Sequence, residues 1–329
     1  MSWGGWVAVT VVILGVLLAG ALVVQRLNES RDTRRFPAPG QLVEVGGRQL
    51  HLLCKGPDNG PTVVIEQGLA GPSILWWPVQ DGVAAFARIC TYDRAGYQWS
   101  DPAAAAQTAH ELVEDLHALL TAAAVPRPYV LVGHSFGGPL VRLFAQRHPD
   151  DIAGVVLVDT PDESVLLRDS FAGYSRGLAR MFAVMRVLAN LGVMRWIMGS
   201  QEQSLGLPSA LAGVLGAKAG TPRFFRTAVE NAHALDQLTA ELRSSGGFGS
   251  LGDRPLSVIT HGVPFQGPAA VLEDGWTAGQ RKLAALSTNS ELIVAAKSNH
   301  MINNDEPQVV IDAIRRVHAA ARDRTRLGN

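Results

Sequence analysis

The sequence has little cysteine and little charge. Its 329 residues include two cysteines, Cys54 and Cys90, which excludes a disulfide-rich scaffold and gives no metal-binding pattern. The 29 basic and 29 acidic side chains give a formal net charge of zero. There is no basic stripe, which argues against a nucleic-acid partner. Without internal repeats or a low-complexity tail, this length fits one large α/β domain with an insertion, or two small domains.

Charge is also missing from residues 1–25, and the run from Trp6 to Val24 is almost wholly apolar. An apolar run of about 20 residues can cross a bilayer as a helix. The alternatives are a buried helix and a cleaved signal peptide, which usually has a charged start and a shorter apolar core. We expect residues 1–35 to form an uncleaved membrane anchor and linker, and residues 36–329 to form a separate domain.

Four arginines follow the apolar run, and no Lys or Arg precedes it: Arg26, Arg31, Arg34 and Arg35. Positive charge flanking a membrane helix marks its cytoplasmic side. Taken alone, this asymmetry favours a cytoplasmic position for the rest of the chain.

The central motif is Gly133–Gly137, which reads Gly-His-Ser-Phe-Gly. A strand-like run, Tyr129–Val132, precedes it and a helix-like run follows from Pro139. Between strand and helix this pattern is typical of a nucleophile elbow, a turn so tight that small residues must flank the serine. A glycine-rich turn with an incidental serine is the alternative. In this context the motif resembles the α/β-hydrolase superfamily, and the resemblance extends from about Pro37 to Arg322.

The resemblance implies an α/β-hydrolase fold, with a mostly parallel eight-stranded sheet flanked by helices. Between residues 162 and 253 the alternation of strands and helices stops, and superfamily members commonly insert a helical cap there. Four of the six methionines lie in this segment, where they could line a pocket for irregular apolar ligands or fill the cap's own core. Contact between the cap and a membrane is a third possibility. Predicted strands lie at 42–45, 48–54, 62–65, 88–92, 129–132, 154–158, 256–260 and 291–295.

The superfamily order of catalytic residues is Ser, then an acid, then His. A serine hydroxyl needs a base to take its proton and a third group to orient that base. Of the nine histidines, His300 is the one between the last predicted strand and the last helix, where the superfamily keeps its base. We therefore predict Ser135 as nucleophile and His300 as base. His261 is an outside candidate near the pocket, and His134 is expected to pack.

The acid is predicted to be Asp159, which follows the strand after the nucleophile strand. The usual position follows residues 256–260, but residues 261–267 contain no carboxylate. Glu273 and Asp274, the next carboxylates along the chain, are the alternatives. Asp159 could instead brace a loop, and Asp274 could cap the helix near Trp276.

The backbone N–H groups of Phe136 and Leu69 are the predicted oxyanion hole. Gln67 stands where superfamily members often carry a histidine, but the donor there is backbone, so the side-chain change need not matter. An ordinary glycine turn is the alternative at this loop. Asp93–Gly96 resembles the Asp-Arg-x-Gly stretch of the superfamily, whose charges mostly brace loops around the site.

The resemblance implies acyl transfer to water through an acyl-enzyme, on a small and apolar substrate, with no metal or organic cofactor. The reaction class is a carboxylic ester hydrolase, or a related amidase, peptidase or thioesterase. Serine at the elbow, in place of aspartate, argues against epoxide hydrolase and haloalkane dehalogenase chemistry. The alternative is a ligand receptor on the same fold with little turnover. The intact pair of Ser135 and His300 favours the enzyme.

In this fold the second strand lies beside the fourth, and Cys54 and Cys90 fall in those two strands. Two free thiols are the favoured expectation, because a cross-strand disulfide requires specific geometry. A bond would favour an extracytoplasmic domain, against the arginine count.

Overall fold

The computed structural model describes residues 2–201, 205, 207–211 and 213–327. Residues 202–204, 206 and 212, which belong to the predicted cap segment, lie outside this description. The described residues build an eight-stranded sheet with the strand order β1-β2-β4-β3-β5-β6-β7-β8. The strands are β1 (Gln41–Val45), β2 (Arg48–Lys55), β3 (Thr62–Glu66), β4 (Ile89–Tyr92), β5 (Tyr129–His134), β6 (Ile152–Val158), β7 (Leu256–His261) and β8 (Ser290–Ala295).

The sheet is mostly parallel, as predicted. The β1–β2 and β2–β4 pairs are antiparallel, and the remaining neighbours pair in parallel. Gly46 and Gly47 close the β1–β2 hairpin with φ angles of 58° and 81°, which side chains other than glycine rarely adopt. The parallel strands end at one edge of the sheet, where ligand sites of such folds gather.

Helices cover both faces of the sheet. Val64 and Leu131 point to the face covered by α3, α4 and α10, whereas Val63 and Val130 point to the face covered by α2 and α12. This burial on both faces explains the continuous apolar runs of the central strands. The helices are α1 (Trp3–Arg35), α2 (Trp77–Ala84), α3 (Ala109–Ala122), α4 (Gly137–Arg147), α5 (Glu163–Leu166), α6 (Asp169–Asn190), α7 (Val193–Ser200), α8 (Val214–Ala219), α9 (Pro222–Ser245), α10 (Trp276–Ala284), α11 (Ile302–Asp305) and α12 (Pro307–Asp323).

Helices α5 to α9 lie between β6 and β7 in the chain, and α6 to α9 contribute to a core that also includes Ile74 and Tyr97. Phe182 and Met194 are buried in this core, and Met185 and Met198 pack against it. Three of the segment's four methionines therefore contribute to its core. The fourth, Met181, is 41% exposed.

Helix α1 is continuous, and its two halves have different surroundings. Its apolar half has a mean hydropathy of 2.9 over the most apolar window, none of which is buried within the chain. The buried-helix alternative is therefore wrong. The C-terminal half packs against α7: Nη1 and Nη2 of Arg195 both donate to buried Asp32, Nη2 at 2.8 Å. Directly after the helix, the carbonyl of Phe36 accepts from Trp99 Nε1–H at 2.9 Å.

Cys54 and Cys90 form a disulfide, so the favoured expectation of two free thiols is wrong. The cause is the register of the antiparallel β2–β4 pair, which sets the two residues directly opposite each other with their Cα atoms 4.1 Å apart.

Candidate active site

The turn between β5 and α4 holds Ser135 in a left-handed backbone conformation, with φ 52°. A serine rarely adopts this conformation unless the surroundings impose it. A Cβ atom on Gly133 would lie 2.7 Å from Gly137 O, and one on Gly137 would lie 2.1 Å from Glu66 O. Only glycine fits at these two positions, which accounts for the small residues of the motif.

Ser135, His300 and Asp159 lie in one chain of hydrogen bonds. Ser135 Oγ is 2.9 Å from His300 Nε2, and His300 Nδ1 is 2.7 Å from Asp159 Oδ2. Since a carboxylate only accepts, Nδ1–H donates to Asp159 and Nε2 is left to accept the Ser135 proton. The three residues follow β5, β6 and β8, and the parallel strands bring them to the same sheet edge.

Asp159 is fully buried and accepts from three further donors besides His300. His261 donates from Nδ1 at 2.8 Å and from its backbone N–H at 3.1 Å, and Trp276 Nε1–H donates at 3.0 Å. Burial alone would raise the pKa of Asp159, but the hydrogen bonds and charges of His261 and His300 hold that pKa well below its usual range. Asp159 is therefore an anion at neutral pH.

The two alternative acids lie elsewhere. The Asp274 side chain is 97% exposed and pairs with Arg168 at 3.4 Å, while Gly275 holds the N-cap position of α10. Glu273 Oε2 lies 3.2 Å from His261 Nε2. Neither carboxylate is hydrogen-bonded to His300, whereas Asp159 is.

The backbone N–H groups of Leu69 and Phe136 have no acceptor within the described part of the chain. Both residues line the same pocket as Ser135 and His300. Two free N–H groups beside a serine hydroxyl are suited to hold a developing oxyanion.

Buried Arg94 fixes the loop that carries Leu69. Its Nε–H donates to Glu66 Oε1 at 2.7 Å, and its Nη2 donates to Gln67 O and to Gly68 O, the latter at 3.2 Å. Its Nη1 donates to Asn231 Oδ1 of α9 at 2.9 Å. The sequence predicts bracing by this stretch but not its partners. The sequence feature that could have indicated Glu66 as a partner of Arg94 is its position at the end of β3, the strand beside β4.

His134 holds the loop of His300 in place. Its Nε2 lies 2.9 Å from the carbonyl oxygen of His300, so it donates there as Nε2–H. Burial, followed by the charge of His300, lowers the pKa of His134 to about 4, so His134 is neutral at pH 7. The sequence predicts packing for His134, and this hydrogen bond could not be read from it.

The pocket at Ser135 has a volume of about 150 Å³ and a mostly apolar wall. The described residues of this wall include no methionine. Ser175 of α6 also lines it, and its buried hydroxyl has no hydrogen-bond partner in the described part of the chain. The apolar wall residues include Leu69, Phe136, Phe171, Leu178, Phe182, Leu235, Phe265 and Trp276.

One group of side chains in the described residues could hold a metal ion: Glu114, His117 and His148, whose ligand atoms lie within 4.8 Å of one another. It lies on α3 and just after α4, and it does not line the Ser135 pocket. Its members already have protein partners, since Glu114 pairs with Arg147 at 2.5 Å and His117 with Asp151 at 3.2 Å.

Comparisons with known proteins agree with this fold. Residues 61–186 match the family model described as alpha/beta hydrolase fold. The protein YqjL of Bacillus subtilis (strain 168) is 28% identical over 277 residues, which cover 84% of this chain and 91% of that protein. The probable transporter efuK of Hormonema carpetanum is 36% identical over 129 residues, which cover 37% of this chain but only 18% of that protein.

Among solved structures, the enol-lactonase from Burkholderia xenovorans LB400 superposes with a TM-score of 0.61 and 20% sequence identity, covering 84% of this chain and 99% of that one. This identity speaks for the fold alone. Together with the eight-stranded sheet and the strand–turn–helix at Ser135, these matches show that the chain has the α/β-hydrolase fold.

Proposed function

We propose that the chain is a serine hydrolase that cleaves a carboxylic ester, or a related acyl bond, of a small apolar substrate. The observation that carries the proposal is the hydrogen-bonded chain from Ser135 through His300 to buried Asp159. An unactivated serine hydroxyl is a poor nucleophile, and this arrangement supplies the base and its orienting anion.

In the proposed mechanism, Ser135 Oγ attacks the substrate carbonyl while His300 Nε2 takes its proton. The carbonyl oxygen becomes an oxyanion and accepts hydrogen bonds from Leu69 and Phe136 N–H. As the oxyanion collapses, the bond to the alcohol or amine breaks and His300 returns the proton to that leaving group. Water then attacks the acyl-enzyme, again with His300 as base, and releases the acid and free Ser135. Asp159 stabilises the imidazolium at each stage.

The pocket volume of about 150 Å³ supports a small acyl group. Its apolar wall favours an apolar group, and the unpartnered Ser175 hydroxyl would favour one polar atom within that group. The lactone ring named for the Burkholderia relative is a cyclic ester and belongs to the same class of substrates.

The test is covalent labelling by a fluorophosphonate probe, followed by a panel of p-nitrophenyl esters of increasing acyl length. The parent should be labelled at Ser135 and should turn over short esters fastest. Ser135→Ala should lose both labelling and turnover. A folded parent that is never labelled would support the receptor alternative, and an alanine variant with parental turnover would exclude Ser135 as nucleophile.

We also propose that residues 1–35 anchor the chain in a membrane and that residues 36–329 form the hydrolase domain, with the cap over 162–253. The disulfide between Cys54 and Cys90 favours an oxidising, extracytoplasmic side for this domain and outweighs the arginine asymmetry. Protease added to intact cells should therefore degrade the domain. Protection in intact cells together with cleavage after lysis would reverse the orientation.

A further inference from the structure

A second and larger cavity lies between the C-terminal half of α1 and the cap helices α6, α8 and α9. Its volume is about 590 Å³, against about 150 Å³ for the Ser135 pocket. No step of the proposed hydrolysis uses this cavity. Its charged wall consists of five cations and two carboxylates: Arg26, Arg186, Lys218, Arg223, Arg226, Glu29 and Asp32.

Most of the cations in this cavity form no ion pair with a carboxylate of the described residues. Asp32 is already paired with Arg195, and Arg226 lies 3.8 Å from Glu230. The other four cations form no ion pair with a carboxylate of the described residues. More distant carboxylates still attract two of them: Asp101, Glu29 and Asp93 act on Arg223, and Asp32 and Asp93 act on Lys218. The cavity wall is therefore set up to accept an anion.

Two of these cations are also partly desolvated. Burial, followed by the charge of Arg223, lowers the pKa of Lys218, and burial lowers the pKa of Arg223. Arg223 Nη2 donates to Gln98 O at 2.6 Å, which holds the guanidinium at the cavity wall. Desolvated cations cost free energy until an anion pairs with them.

The cavity begins where the apolar run of α1 ends. Arg26 follows Val24 by two residues, and the wall residues of α1 extend to Thr33. At about 1.5 Å per residue this stretch is about 10 Å long, which is enough to cross a lipid headgroup layer about 5–8 Å thick. On α6, Val184 and Val187 are 61% and 62% exposed on the side away from the Ser135 pocket.

We propose that this cavity binds the phosphate-bearing headgroup of an anionic phospholipid from the leaflet around α1. The inference rests on the proposed membrane anchor. The exposed apolar residues of α6 would face the acyl chains of the same leaflet. Helix α6 lines both cavities, with Arg186 in the larger one and Phe182 in the Ser135 pocket. A bound lipid would therefore hold the helix that forms one wall of the proposed substrate pocket.

The test uses the purified full-length chain in dodecyl maltoside and native mass spectrometry. The probes are phosphatidylglycerol and phosphatidylcholine with identical acyl chains. Phosphatidylglycerol should be retained about tenfold better, since basic residues attract an anionic headgroup. Arg26→Gln combined with Arg186→Gln should abolish the preference. Arg281→Gln combined with Lys282→Gln, which removes two exposed charges of α10, should preserve it.

Equal retention of the two lipids, or an unchanged preference in the Arg26 and Arg186 double variant, would overturn the proposal. So would displacement of phosphatidylglycerol by equimolar inorganic phosphate, which would identify free phosphate as the ligand. Lys218→Gln with Arg223→Gln is the second variant and should also lose the preference. Fluorophosphonate labelling of the same samples reports the hydrolase proposal, and cell fractionation reports the anchor, so their failures are distinguishable from loss of lipid binding.

Discussion

His261 lies against both oxygens of Asp159, with its Nδ1 2.8 Å from Oδ1 and 2.9 Å from Oδ2. Its other ring nitrogen, Nε2, faces Glu273 Oε2 at 3.2 Å. Both neighbours are carboxylates, which accept hydrogen bonds, so this arrangement favours the imidazolium form of His261, in which both ring nitrogens donate. Burial alone would lower the pKa of His261, but Asp159 first and Glu273 second outweigh burial and raise it.

Replacing His261 with Gln should lower kcat about tenfold, because a hydrogen bond to a charged group contributes about 1.5 kcal/mol to holding Asp159. The KM should change little, since His261 contacts the acid and not the proposed acyl site. Steady-state kinetics on a p-nitrophenyl ester checks this. Glu273→Gln is the matched control, which keeps the imidazole on Asp159. An unchanged kcat in His261→Gln would show that His300 and Trp276 suffice to orient the acid.

We also predict that the stability difference between the parent and His261→Gln depends on pH. The pKa of His261 is raised by folding, so its contribution is fully present below the ordinary histidine pKa of about 6.5 and is lost as pH rises through the higher folded value. The free energy of unfolding should therefore differ most between parent and His261→Gln in acid, with the gap closing as pH rises. Denaturant titrations from pH 5 to pH 9 measure this difference. A gap that widens with pH would mean that His261 is neutral in the folded chain.

Asp159→Asn should lower kcat by about 10,000-fold, the order of loss typical when the orienting acid of a triad becomes an amide. The amide no longer holds the His300 tautomer or stabilises its imidazolium. Asp274→Asn is the control and should retain kcat, because that carboxylate is exposed and pairs with Arg168. Circular dichroism should show folded chains in both cases. Loss of activity in Asp274→Asn alone would identify Asp274, in the later loop, as the orienting acid.

The sequence predicts the fold and the meeting of Ser135, Asp159 and His300 because each depends on local pattern and chain order. The elbow is a five-residue motif, Asp159 directly follows a predicted strand, and His300 lies in the loop between the last predicted strand and the last helix. The pairing of Cys54 with Cys90 depended on the register of β2 against β4, which alternation of apolar residues does not fix. The contact of His261 with Asp159 required knowing that the ends of β6 and β7 lie side by side.

Contacts between segments that lie far apart in the chain could not be predicted from the sequence for the same reason. Arg94 meets Asn231 across 137 residues, and Asp32 meets Arg195 across 163 residues. No periodicity in the sequence of either segment indicates that it contacts the other segment. The cation-lined cavity is made of four separate helices, so its charge could not be recognised in a sequence whose formal net charge is zero.

Arg94→Lys should lower kcat and stability together. A lysine cannot make the separate bonds to Glu66, to the loop that carries Leu69 (called here the oxyanion loop) and to Asn231, so the Leu69 N–H loses its fixed position. Arg142→Lys is the control, because Arg142 is equally buried and bonded to Glu163 at 2.6 and 2.9 Å but does not touch the oxyanion loop. Thermal melting should show losses in both variants, whereas kcat should fall only in Arg94→Lys. Equal kcat losses in the two variants would show that Arg94 contributes to stability and does not specifically position Leu69.

Removing the first part of α1 should have different effects depending on where the cut lies. A chain that starts at Gln25 keeps both buried residues of α1, Gln25 and Asp32, so it should be released from the membrane with its Tm unchanged. A chain that starts at Phe36 loses buried Asp32. The partly buried guanidinium of Arg195 then no longer has the Asp32 carboxylate as its ion-pair partner. Removing one partner of a buried ion pair destabilises by about 3–5 kcal/mol, and partial exposure of Arg195 reduces this figure. The Tm should therefore fall by several degrees.

Fluorophosphonate labelling of Ser135 should persist in both truncated chains at 25 °C, because neither cut touches the residues around Ser135. Equal Tm values for the two truncated chains would show that the C-terminal half of α1 adds no stability to the cap, and loss of labelling in both would mean that the apolar half of α1 is needed to form the active domain.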